Sequence, residues 1–166
     1  MANKKAGENE RELSETIRRL ETNADILALM DSEEPLEAIL HQMMGTLSEY
    51  LDVTGSQLYR MRTDNELMDM IVEWIKEGVL TTYSRTQSIP KHQYFSEEEP
   101  FIISSNTFSN PKIEEQMKEY KIKALMSFPI YINGRVSMYL CFTETRKERM
   151  WNLDEVKFIK NATKII

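Results

Sequence analysis

Strand runs joined by short turns, helical patterns at both chain ends, and an irregular stretch over residues 84–100 predict an α+β sandwich. Short turns favour an antiparallel sheet, here of about six strands. Helices at both ends favour a helical layer on one face, which leaves the other face to be roofed by loops and a short helix. A sheet face covered in that way is where a pocket can form.

The first ten residues are polar, and a frayed end is expected. From there Leu13, Ile17, Leu20, Ala24 and Leu27 alternate spacings of four and three, the pattern of a coiled-coil seam. Such a helix can lie on its own domain or pair in parallel with a second copy. The break Asp31-Ser32-Glu33-Glu34-Pro35 starts a second helix, whose Leu36, Ile39, Leu40, Met43, Leu47, Tyr50 and Leu51 form a broad apolar stripe. Strands are predicted at Gly55–Met61 and Leu67–Ile75 across the polar turn Thr63-Asp64-Asn65-Glu66, with a weaker one over residues 80–89.

Residues 101–104 make a further short strand. Asn110-Pro111 then opens a helix, with Asn supplying a side-chain oxygen and Pro sitting where no N–H is needed. Its apolar face is Ile113, Met117 and Tyr120. The runs Ala124–Ile132 and 135–143 flank Asn133-Gly134, the strongest short hairpin signal, because both turn residues need positive φ. Trp151-Asn152-Leu153-Asp154-Glu155-Val156 starts the last helix with a capping box. That helix is still apolar at Ile165-Ile166 and has no terminal glycine, as expected of a piece of something longer.

A chain of 166 residues that is 41% hydrophobic sustains one core, not two. A net charge of −6 argues against nucleic-acid binding and against an anionic membrane surface, since both need a basic field. The run Arg146-Lys147-Glu148-Arg149 is short and reads as a solvated loop. A single cysteine, Cys141, rules out an intramolecular disulfide and a thiolate zinc cluster, and a reducing cytoplasm is the simplest setting. No apolar run approaches the roughly 18 residues of a membrane span, so no membrane contact by this chain is expected.

Four segments in order resemble the C-terminal half of a GAF domain, a small-molecule sensing module of bacterial signalling proteins. They are Pro100-Phe101-Ile102-Ile103, Asn110-Pro111, Ala124-Leu125-Met126-Ser127-Phe128-Pro129-Ile130 with Asn133-Gly134, and Arg149-Met150-Trp151-Asn152-Leu153-Asp154-Glu155. The resemblance covers residues 34–166 and leaves 1–33 as a linker and amphipathic signalling helix. Ser137 stands where such domains often have Gly. The resemblance implies a GAF-like α/β sandwich, a regulatory pocket, and an absent output domain of the GGDEF diguanylate cyclase or histidine kinase kind. The alternative is a ligand-free structural or dimerising module, with Met126, Met138, Trp74 and Tyr139 filling the pocket.

Catalysis is not expected. There are two histidines and one cysteine, with no triad or ligand spacing, no Gly-rich phosphate loop and no His-Glu-x-x-His. No metal site is predicted, and no cofactor can be named. His41 falls about 130° from the centre of its helix stripe and points away from the sheet. His92, in the loop Pro90-Lys91-His92-Gln93-Tyr94-Phe95, is either an ordinary loop histidine or a ligand contact. Cys141 lies on a strand with two apolar faces and reads as a small buried hydrophobe, outside the loop context of bilin-attaching cysteines in the resembling family. By alternation Tyr59, Ser127 and Tyr139 share one sheet face; with Trp74, His92, Tyr94, Phe101 and Phe108 they are the candidate pocket wall. Met-rich, aromatic walls favour a small apolar or aromatic ligand over a nucleotide. A homodimer through Leu13, Ile17, Leu20 and Leu27 and the C-terminal helix is the expected partner arrangement.

Overall fold

A computed structural model describes residues 2–64, 66–80, 88–90, 98–105, 107 and 111–166. Four helices and six strands run in the order α1 (Ala2–Met30), α2 (Leu36–Leu51), β1 (Gly55–Met61), β2 (Leu67–Ile75), β3 (Ile89–Pro90), β4 (Phe101–Ile103), α3 (Pro111–Glu119), β5 (Ala124–Ile132), β6 (Arg135–Glu144) and α4 (Leu153–Ala162). The strands form one sheet in the order β3-β2-β1-β6-β5-β4, antiparallel at every pairing.

Local chemistry accounts for most of the boundaries. Asn133 and Gly134 take φ of 52° and 76°, the paired positive values that a two-residue hairpin between right-twisted strands requires. At α4 the Asn152 side chain accepts from the Glu155 N–H at 2.8 Å, while the Glu155 carboxylate accepts from the Asn152 N–H at 3.0 Å. The capping box is therefore complete. Helix α2 ends on Asp52 in the left-handed region, φ 51°. Two expectations shift. Helix α1 already begins at Ala2, and the weak strand at 80–89 reduces, within the described residues, to Ile89–Pro90.

The main core lies between the sheet and the helical layer. Met43, Met44, Leu47 and Leu51 of α2 and Phe158, Ile159 and Ala162 of α4 meet Leu58, Val72, Met126, Phe128, Leu140 and Phe142 of the sheet. Helix α1 joins through fully buried Ile26 and packs on α2, leaving Leu13, Ile17, Leu20 and Leu27 exposed. A buried Ser48 hydroxyl donates to Ser56 at 2.8 Å and ties α2 to β1. On the opposite sheet face α3 lays Ile113 and Met117 over Ile103 and Leu125, covering the β4–β5 end.

Two bulges decide which side chains face which layer. Leu58 opposes Val72 whereas Tyr59 opposes Met70, so Ile71 is the extra residue on β2. Ile130 opposes Met138 whereas Tyr131 opposes Val136, so Ser137 is the extra residue on β6. Each bulge inverts the alternation beyond it. Hence Val136 packs with Tyr139 and Cys141, not with the even-numbered residues that follow it.

Candidate functional site

Opposed residues of neighbouring strands share a sheet face, so the register alone maps the surface away from the helical layer. One row crosses β4, β5, β6 and β1 as Phe101, Ser127, Cys141 and Gln57, and continues to Glu73 at the β2 edge. The next row is Pro129, Tyr139, Tyr59 and Met70. Tyr59, Met68, Met70, Tyr139 and Cys141 form one buried cluster, edged by Met61, Ile89 and Val136.

This floor is apolar and aromatic with few polar groups. Cys141 is fully buried, and loss of solvation pushes its thiol up to about 12. The Ser127 hydroxyl opposite acts the other way as the thiol's side-chain partner, and no other partner for it lies among the described residues. Ser127 is 1% exposed. A buried atom without a partner there, Arg149 Nε, belongs to a guanidinium stacked 4.4 Å from the Trp151 ring and bonded to Glu155 at 2.7 Å. That arginine is part of a seam in which Ser104 and Ser105 accept from the Trp151 and Arg149 N–H groups and hold the loop after β6 against β4.

Of the eight candidate wall residues, the fold brings together Tyr59, Phe101, Ser127 and Tyr139. His92, Tyr94 and Phe108 lie outside the described residues. Trp74 is a correction. It sits on the helical side, where Ser56 opposes it and its ring abuts Gly45 of α2, because the bulge at Ile71 reverses the β2 alternation. The proposed fillers Met126, Met138 and Trp74 likewise pack into the helical-side core, and only Tyr139 is on the floor. Gln57 and Cys141 were not counted as wall; the β1–β6 register that places them there is not written in either strand alone.

His41 is exposed and borders an open groove of about 600 Å³ with Asp25, Gln42 and Trp74. Among the described residues, no cluster of three metal-ligating side chains occurs and no helix is long and apolar enough to cross a membrane.

The family model for the GAF domain matches residues 35–166. Among solved structures, the phycoerythrobilin-bound GAF domain of a cyanobacterial phytochrome superposes with a TM-score of 0.75 at 12% identity, covering 90% of this chain and 92% of that one. The blue-light-absorbing form of the Thermosynechococcus elongatus PixJ GAF domain gives 0.64 at 16% identity, covering 76% and 79%. A domain of a protein described as a two-component sensor histidine kinase, from Sinorhizobium meliloti 1021, gives 0.62 at 15% identity, covering 80% and 89%. Among curated proteins, none matches this chain. At these identities the structural likeness establishes the fold.

Proposed function

This chain belongs to the GAF domain family, and on that ground we propose that it is the sensory module of a bacterial signal-transduction protein. It binds a small apolar or aromatic ligand on the floor formed by Tyr59, Ser127, Tyr139 and Phe101. The terminal helices relay occupancy to an output domain of the diguanylate cyclase or histidine kinase kind, in the cytoplasm. The observation that carries this reading is the division of the sheet: one face is committed to α2 and α4, and the other holds a Met- and Tyr-lined floor beside the end that α3 covers.

Relay has a physical basis. Tyr50 of α2 stacks 4.4 Å from Phe158 of α4, receives the Arg18 guanidinium of α1 over its ring at 4.5 Å, and donates to Glu15 at 2.8 Å. Both terminal helices thus bear on one side chain. The outward stripe of α1 is the proposed seam with a second copy, residues 1–33 acting as the signalling helix. Ligand binding that favours one seating of these helices shifts their equilibrium by its difference in affinity between the two seatings.

A structural or dimerising module is the rival reading, supported by Tyr139 and Met68 having no exposure at all. A native mass spectrum of freshly purified chain separates the two. A dimer carrying extra mass supports the sensor; a clean dimer supports the rival, and a clean monomer removes the seam from both.

A further inference from the structure

The open groove of about 600 Å³ between α1, α2 and Trp74 and a second of about 720 Å³ between α2 and the β2 edge share His41 and Gln42, so they form one trough along the flank of α2. Glu49 and Pro35 at its ends are about 21 Å apart along the helix at 1.5 Å per residue, the reach of about six residues of extended chain. The floor holds an aromatic ring. Trp74 is half-buried there, and Gly45 lets it lie against α2, since a Cβ would stand 2.8 Å from Nε1. Glycine inside a helix is destabilising, so this seating of the ring is kept at a cost in stability. The rim is acidic. Asp25, Glu37 and Glu49 are exposed and form no ion pair among the described residues, and no lysine or arginine lines either groove. Residues 20–59 hold eight carboxylates and no lysine or arginine, so the charge of this stretch has one sign. Glu37 suits the first turn of α2, but Glu49 stands in the last turn, where the helix dipole disfavours negative charge and no basic residue offsets it. A cation from outside the chain would offset it.

We propose that this trough is a docking surface for an extended basic segment of a partner protein, whose arginine side chains stack on Trp74 and pair with Asp25 and Glu49. Arginine fits better than lysine, because its planar guanidinium stacks on an indole while still donating to carboxylates. A segment fits better than a free cation, because the trough is open along its length and meets several successive side chains. The surface lies on the helical side of the sheet, away from the Tyr59 and Tyr139 floor, so it is independent of what that floor binds.

The test is a two-dimensional amide NMR titration of the isotope-labelled whole chain, at low salt, with the end-blocked peptide Gly-Arg-Ala-Arg-Ala-Arg-Gly and with its counterpart carrying glutamine for arginine. The arginine peptide is expected to shift the signals of the Trp74 indole, Gln42 and Thr46 and to leave the Trp151 indole in place; the glutamine peptide is expected to shift none of them. In the double variant Asp25→Asn with Glu49→Gln the dissociation constant is expected to rise about tenfold, the worth of two exposed ion pairs. Glu115→Gln with Glu119→Gln removes the same charge from exposed positions on α3, and a change of less than about twofold is expected there. Equal weakening in the two double variants, or binding that leaves the Trp74 indole unmoved, reduces the effect to net charge and overturns the proposal. So does arginine amide binding as tightly as the peptide, which would make the trough a site for a small cation, and so does no binding at all. Each of these failures leaves the sensor reading standing, since none of them involves the floor.

Discussion

Gly45 lies in the interior of α2, where glycine costs about 1 kcal/mol against alanine, and Trp74 supplies the reason. A Cβ at position 45 would stand 2.8 Å from Trp74 Nε1. Gly45→Ala is therefore expected to destabilise the chain by about 1 kcal/mol, and to stabilise it in a Trp74→Ala background where the clash is gone; urea unfolding of the four proteins measures the sign change. The Cys141 thiol, pushed up to about 12, keeps its folded-state stability below the ordinary thiol range and loses it as pH rises toward that value. At pH 8 the folded chain is expected to resist iodoacetamide, with labelling appearing only on unfolding. Asp52 shows the opposite sign. Hydrogen bonds from Lys147 at 2.7 Å, Lys76 at 3.0 Å and Arg146 hold its carboxyl well below the usual carboxylate range. Its contribution is present above the ordinary carboxylate value and is lost as pH falls below it. The side chain is half-exposed, so Asp52→Asn, which keeps the left-handed backbone tolerable, is expected to cost less than about 1 kcal/mol at pH 7 and to flatten the acid limb.

Among the elements, α4 has the most self-contained sequence signal. Asn152 and Glu155 satisfy two end N–H groups reciprocally, so Asn152→Ala is expected to cost about 1 kcal/mol, read as a lower denaturation midpoint with unchanged slope. The β5–β6 hairpin was equally legible, since Asn133-Gly134 both ends the strands and sets their register. Strands β1 and β2 were legible in extent but not in facing. Unbroken alternation puts Trp74 with the wall candidates, and the single unpaired residue at Ile71 reverses it. Nothing local marks Ile71 as extra. A bulge arises where two strands of different curvature must both fill a layer, and that mismatch belongs to the pair.

For the molecule as a whole, the unsettled energy lies on α1. Ile26 is buried against α2 while Leu20 is 64% exposed and in line with Leu13, Ile17 and Leu27. If that stripe is the seam, Leu20→Lys gives a monomer by sedimentation while wild type sediments as a dimer. The same variant tests relay: a monomer that binds a probe with wild-type affinity would show that helix pairing and pocket occupancy are uncoupled.

Element types and most boundaries followed from residues near one another in the chain, because caps, turns and apolar periods act over a few positions. So did the antiparallel pairing of β5 with β6, the shortest loop closure in the sheet. Which of the described candidate wall residues meet, the seating of Trp74 on Gly45, the company of Cys141 and the burial of the Ser127 hydroxyl depended on strands far apart in sequence. Their relative register minimises void and unpaired polarity over the whole layer at once, and no local segment carries that sum.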